Sequence, residues 1–208
     1  RPIGFLGTVL FFFLIVGPVE ETVKLLAVRL YAYGHDSFDS VLDGAVYGAM
    51  AGLGFAFIEN ALYITQQVDP AQLDLGLGII GMGGGITAVR ALAGPGHVIY
   101  SAFAGYYLGL AKFNRENRGP IIIKGLLIAA LIHATYNTTV GLGSAAVSIA
   151  TGLSQLPSFL VYVLIYDGVF GLILFRKIRR YSRTYSEVHE NEEVEESAIE
   201  PEITEFES

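Results

Sequence analysis

The chain's 208 residues are 52% hydrophobic and only 16% charged, and a mean hydropathy of +0.51 reflects long apolar runs of the kind that cross a bilayer as helices. Because it has no Cys, a disulfide framework, a cysteine-ligated metal centre and a thiol nucleophile are excluded. The net charge of −7 hides a split: Glu187 to Ser208 hold ten acids and no Lys or Arg, the preceding residues are net +3, and nothing basic is extensive enough for a nucleic-acid footprint.

In chain order, five stretches approach the about 20 helical residues that a hydrocarbon core demands. They are Ile3 to Tyr33, Val41 to Gln66, His97 to Ala111, Ile121 to Val140 and Leu153 to Phe175. Pro18 predicts a kink or break in the first, and the short third gains length from residues near Gly94. Between the second and third, Leu75 to Ala93 is apolar and Gly-rich and ends in Gly94-Pro95-Gly96. It reads as an interfacial or re-entrant element, since a full span there would move the basic loop at 112–118 to the outer side. Such backbone is tolerated at membrane depth only where protein or a water-filled cavity surrounds it.

The predicted fold class is therefore all-α, a polytopic transmembrane helical bundle of about five spans plus that segment, over residues 1–180. Residues 181–208 are expected to form a disordered acidic tail, with too few apolar side chains to build a core. The chain begins at Arg1 without Met and reads as a fragment. Lys112, Arg115 and Arg118 lie two spans before the cluster Arg176, Lys177, Arg179, Arg180 and Arg183. Both groups can then face the cytoplasm, which predicts a multi-pass cell-membrane protein with a cytoplasmic C-terminal tail.

Charged side chains at mid-bilayer cost at least ~2.5–3.5 kcal/mol each, yet several are kept. Glu20, Glu21 and Lys24 form EETVK in the first span, Glu59 and Asn60 lie in FAFIEN, His97 opens the third span, and His133 and Asn137 share HATYN. Glu20 with Lys24, His97 with Ser101, and His133 with Asn137 are each four apart, hence on one helix face. Gly44, Gly48 and Gly52 also repeat at four, and Phe55 and Glu59 fall within about 60° of Gly44, so Glu59 faces a closely packed helix and not lipid. Asp36, Asp39 and Asp43 read as loop residues and caps, with Asp43 the expected helix cap. Buried carboxylates and imidazoles from separate spans make a titratable cluster of the kind found at proton pathways and catalytic sites.

Such a cluster suits water activation by a carboxylate beside an imidazole, with Asn and His donors for an oxyanion. No serine-nucleophile elbow is present, Ser101 follows a His without a matching acid, and HExxH is absent. On ligand type, His97, His133 and Glu59 form a possible zinc triad.

At PVEETVK, DGAVYGAMAGLGFAFIEN, RALAGPGHVIYSAFAGYYLG and HATYN the chain resembles the PrsW intramembrane proteases, distant relatives of the CAAX prenyl endopeptidases, from about Pro18 to Phe175. The resemblance implies an endopeptidase that hydrolyses a peptide bond of a membrane-anchored protein. It implies that Glu20 and Glu21 are the water-activating pair, without saying which is the base. Glu59 and His97 would line the site, His133 and Asn137 would stabilise the oxyanion, and Lys24 would hold a glutamate. It leaves open a metal-free mechanism or a divalent metal such as zinc. Two other classes compete: a membrane scaffold of the same fold that recruits partners through its tail, and a proton-coupled transporter, for which no convincing internal repeat is found.

Overall fold

The computed structural model describes residues 4–67 and 84–204, with the side chains of residues 64, 65, 67, 84–93 and 189–204 outside that description. Every regular element among the described residues is a helix. They are α1 (Phe5–Phe11), a π-helical stretch Phe12–Val16, α2 (Gly17–Tyr31), α3 (Val41–Gln67), α4 (Gly84–Phe113), α5 (Arg118–Thr151) and α6 (Gln155–Thr204). Among the described residues, each of the five apolar stretches falls mostly on helix. Among the described residues, three helical segments are long and apolar enough to cross a membrane: Val41–Tyr63, Arg118–Thr151 and Gln155–Val188.

The expected break in the first stretch is a wide π-helical turn ending at Gly17, with Pro18 in the first turn of α2. Proline has no N–H to return to the preceding turn, and a wide turn accommodates its ring. Of the expected interfacial or re-entrant element, residues 75–83 lie outside the described residues. From Gly84 the backbone is helix, continuous with α4 through Pro95.

Residues 181–204 continue α6 as helix to Thr204. Glu supplies helix propensity along this run, which also contains Pro201. The chain divides into two compact units, Arg1–Gly171 and Leu172–Ser208. The first contains all the side chains considered below as a site.

Polarity in that first unit is inverted relative to a water-soluble bundle. Glu21, Lys24, His97, Ser101, His133 and Asp167 are buried, whereas Leu6, Leu14, Met50, Phe57, Ile58, Ile149 and Leu164 are exposed. Apolar side chains outward and charges inward is what a hydrocarbon solvent demands.

Glycines set the helix spacing. A Cβ at Gly44, Gly48 or Gly52 would strike the backbone carbonyls of Gly105, Ser101 and His97 respectively. The order descends along α4 as it ascends along α3, so the two run antiparallel with backbone touching backbone. Gly17 plays the same part between α2 and α5, where a Cβ would lie 2.7 Å from the carbonyl of Ala130. Below these crossings Leu25, Val28, Tyr33, Phe38, Ala104, Leu108 and Ala129 form one apolar cluster. Lys112 donates to the carbonyls of Tyr33 (2.8 Å) and Phe38 (2.6 Å) and so ties down the α2–α3 connection.

Asp43 does cap α3, but from inside it. Its Oδ2 accepts from the backbone N–H (2.7 Å) and hydroxyl (2.7 Å) of Ser40, whose Oγ accepts from the N–H of Asp43 at 3.2 Å. Ser40 is thus the N-cap, and Asp43 is its reciprocal partner in the third helical position.

Gly48→Val should destabilise the bundle by about 1–3 kcal/mol or more, because the crossing leaves no room to relax. Gly54→Ala, at a glycine with nothing within 4 Å, should be neutral or stabilising by up to ~1 kcal/mol. Thermal unfolding of the two variants in the same detergent measures the contrast; equal stability would refute the glycine crossing.

Candidate functional site

Glu21 is the centre of the buried polar groups and is 0% exposed. One oxygen, Oε1, accepts from Lys24 Nζ at 2.7 Å and from His133 Nδ1 at 3.0 Å. The other, Oε2, accepts from the Ser101 hydroxyl at 3.0 Å. Three helices meet on this one carboxylate: α2 supplies Glu21 and Lys24, α4 supplies Ser101, and α5 supplies His133. The close approach at Gly17 and Ala130 explains why they can, for it lies one turn before Glu21 on α2 and one turn before His133 on α5.

Donor chemistry then fixes the histidine protons. An ammonium group only donates, so the 2.9 Å contact from Lys24 Nζ makes His97 Nδ1 an acceptor. The proton of neutral His97 therefore sits on Nε2, which meets Glu59 Oε2 at 3.0 Å. A carboxylate only accepts, so His133 Nδ1 donates to Glu21 and its Nε2 keeps a lone pair. That lone pair faces Glu20 Oε2, 3.8 Å away. Glu20 Oε2 is buried, has no hydrogen-bond partner among the described residues, and stands 3.7 Å from Lys24 Nζ. Lys24 itself lies over the Phe55 ring, 4.3 Å from its centroid.

The structure thus brings together Glu20, Glu21, Lys24, Glu59, His97 and His133. Asn137 is half-buried one turn beyond His133. Ser101 does have an acid beside it, contrary to the reading of the sequence, but that acid accepts from its hydroxyl directly, with no histidine between them. A serine arranged this way orients a carboxylate and is not activated as a nucleophile.

Sequence reasoning passed over Asp167 on α6. It is buried, and its Oδ1 accepts from the Tyr100 hydroxyl at 3.2 Å. Tyr100 in turn stacks on the His133 ring, 5.4 Å between centroids and 28° between planes. The rule that an acid within an apolar span is expensive would have singled out Asp167 as it did Glu59.

Among the described residues, the side chains that can jointly hold a metal ion are Glu20, His97 and His133, whose candidate ligand atoms all lie within 4.8 Å of one another. Glu59, expected in that triad, instead occupies the far nitrogen of His97. The donor set fits a metal. Glu20 Oε2 and His133 Nε2 have no competing hydrogen bond, and both histidines carry a carboxylate on the opposite nitrogen, the arrangement that fixes ring orientation in metal-ligating histidines. The same geometry sets a condition: His97 Nδ1 cannot bind a metal and accept from Lys24 at once.

Comparison with known proteins identifies the family. Residues 2–170 match the family described as PrsW family intramembrane metalloprotease. The Protease PrsW of Halalkalibacterium halodurans is 32% identical over 126 residues, which are 60% of this chain and 52% of that protein. The Protease PrsW of Bacillus subtilis is 31% identical over 169 residues, 80% of this chain and 66% of that protein. For the Protease PrsW of Shouchella clausii the values are 26% over 172 residues, 82% and 67%. The chain therefore spans about half to two thirds of the length of these curated relatives. No solved structure matches it. Since the match runs through α2, α3, α4 and α5, every helix that contributes to the buried cluster, the chain belongs to the PrsW family of intramembrane metalloproteases.

Proposed function

We propose that this chain carries the hydrolytic centre of an intramembrane endopeptidase that cleaves a membrane-associated protein. The observation that carries the proposal is the unequal state of two adjacent glutamates. Glu21 has every oxygen engaged by Lys24, His133 and Ser101, whereas Glu20 keeps a buried oxygen unengaged opposite a histidine lone pair. A carboxylate already accepting three hydrogen bonds is poor at taking a proton, and one with a free oxygen beside an imidazole is suited to it.

On this reading Glu20 is the general base. A water hydrogen-bonded between Glu20 Oε2 and His133 Nε2 gives its proton to Glu20, and its oxygen attacks the scissile carbonyl. Glu20 then returns the proton to the leaving amine. Glu21 holds His133 in the tautomer that presents Nε2 and does not itself exchange a proton. Glu59 does the same for His97 from the other nitrogen. Lys24 screens the paired carboxylates, and Asn137 supplies a donor to the oxyanion, since neutral His133 already gives its one N–H to Glu21.

In a metal-loaded form Glu20, His97 and His133 would hold the divalent metal through the atoms that otherwise hold this water, and two imidazoles with a carboxylate suit zinc. A metal bound there polarises water or the carbonyl. The substrate is proposed to be a membrane-anchored protein, since a site walled by lipid-facing helices is reached most directly from within the bilayer. The basic groups at 112–118 and 176–183 support a cytoplasmic C-terminal tail.

Glu20→Gln should lose roughly 10²–10⁴-fold in cleavage of single-span substrates in liposomes while unfolding like wild type. Glu21→Gln should lose activity and also about 3–5 kcal/mol of stability, because it strips a buried Lys24 of its partner. Cleavage by Glu20→Gln at the wild-type rate would sink the assignment of the base.

Chelator should abolish cleavage and added zinc restore it, with zinc affinity measured by calorimetry falling in Glu20→Gln and in His133→Ala. Cleavage that survives exhaustive chelation would leave the carboxylates and imidazoles acting on water alone. The absence of native Cys allows a clean topology test. Ser186→Cys should react with an impermeant maleimide only when the cytoplasmic face is open, and labelling of intact cells would reverse the orientation.

A further inference from the structure

Asp167 is a carboxylic acid in the last apolar helix, and the hydrolysis proposed above makes no use of it. Its Oδ2 is buried and without a hydrogen-bond partner among the described residues, while Oδ1 accepts from Tyr100 at 3.2 Å. An acid so placed in a span is expensive, and one that only joined two helices could be replaced by a hydroxyl at lower cost. What distinguishes it is the identity of its partner.

Tyr100 is 1% exposed, and its ring covers one face of His133. The edge of His133 is set against His97, 5.0 Å between centroids at 83°. Glu21 fixes one atom of the His133 ring, Nδ1, but a single hydrogen bond at one corner still permits the ring to tilt. Tilting would carry Nε2 off Glu20 and drive the ring face into Tyr100. The hydroxyl of Tyr100 is itself held twice. Asp167 accepts its proton, and Gly96 leaves the space it occupies, because a Cβ there would lie 2.6 Å from the oxygen. Next to Asp167, Tyr166 donates to the carbonyl of Ile132 at 2.7 Å and so fixes the backbone just before His133.

We propose that Asp167 is a positioning residue for His133, acting through Tyr100, so that α6 sets the angle at which Nε2 faces Glu20. The role needs an acceptor for the Tyr100 proton and no exchange of a proton at Asp167. It rests on the reading of His133 as part of the hydrolytic centre, but its first test needs no cleavage.

The chain has four histidines, His35, His97, His133 and His189, so a ¹⁵N-histidine spectrum of the whole protein in micelles is simple. The His133 ring signals are identified by their loss in His133→Asn. Asp167→Ala and Tyr100→Phe should move or broaden those signals and leave His35 in place. Asp167→Asn, whose amide oxygen still accepts from Tyr100, should keep the wild-type positions. Unmoved His133 signals in Asp167→Ala overturn the proposal, and so does an Asp167→Asn spectrum that matches the alanine variant.

In cleavage assays Asp167→Ala should lower kcat by roughly ten- to a hundredfold with KM little changed, the expected scale for a misplaced reacting group. Asp167→Asn should restore kcat, and combining Asp167→Ala with Tyr100→Phe should cost no more than either alone. If the wild type cleaves nothing while His133 signals respond as described, the hydrolytic reading fails and the positioning link stands. Should Asp167→Ala fail to fold, the near-isosteric Tyr100→Phe and Asp167→Asn carry the comparison.

Discussion

One fully buried carboxylate constrains this bundle more than any other group. Glu21 sits in a medium that cannot solvate it, so its oxygens must be met by donors built into the protein. Lys24 comes from one turn along the same helix, but Ser101 and His133 come from two others. Neither α4 nor α5 can shift by even an ångström without leaving part of that charge uncompensated. The hydrogen bonds therefore act as a register lock, and they hold whatever chemistry occurs at Glu20 beside them.

Such a lock needs helices that approach within reach of short side chains, and this is where the glycines enter. Serine reaches only about one bond beyond its Cβ, so Ser101 can touch Glu21 only if α4 lies close to α2. The carbonyl of Ser101 is also the atom that Gly48 on α3 admits. One residue of α4 thus packs its backbone against α3 and its side chain against the central carboxylate of α2. The carbonyl of His97, one turn earlier, meets Gly52, while its ring spans Glu59 and Lys24. Packing and polar convergence are the same constraint seen on two faces of α4.

This explains what could be read from the sequence and what could not. A period of four in Gly44, Gly48 and Gly52 reports a helix face, and Glu59 follows from it by angle alone. The expense of charge in an apolar span likewise marks Glu20, Glu21, Lys24, His97 and His133 without any knowledge of their neighbours. Which of two adjacent glutamates is pinned depends on the rotation of α2 against α4 and α5, and no local pattern encodes that. Nor does ligand type reveal that Glu59 lies on the outer nitrogen of His97 while Glu20 lies with the two histidines. Asp167 and the Ser40–Asp43 cap were legible by the rules already in use, an acid in a span and a serine three before an acid.

Charge at the centre bears on the metal as well. With carboxylates ionised and both histidines neutral, Glu20, Glu21 and Glu59 contribute −3 and Lys24 contributes +1, a net of −2 among the described residues gathered at this site. An apolar surround does not sustain two uncompensated charges. Either one divalent cation or two protons bring the sum to zero, and Glu20 Oε2 is a buried oxygen without a hydrogen-bond partner among the described residues and near both histidines. The metal-bound and metal-free versions of the mechanism therefore differ in what balances the charge and agree on where it is balanced. Lys24 holds, through its ammonium, the nitrogen of His97 that a metal would take. A cation entering the site must outcompete one held there covalently, so its retention depends on the combined pull of Glu20 and the lone pair of His133.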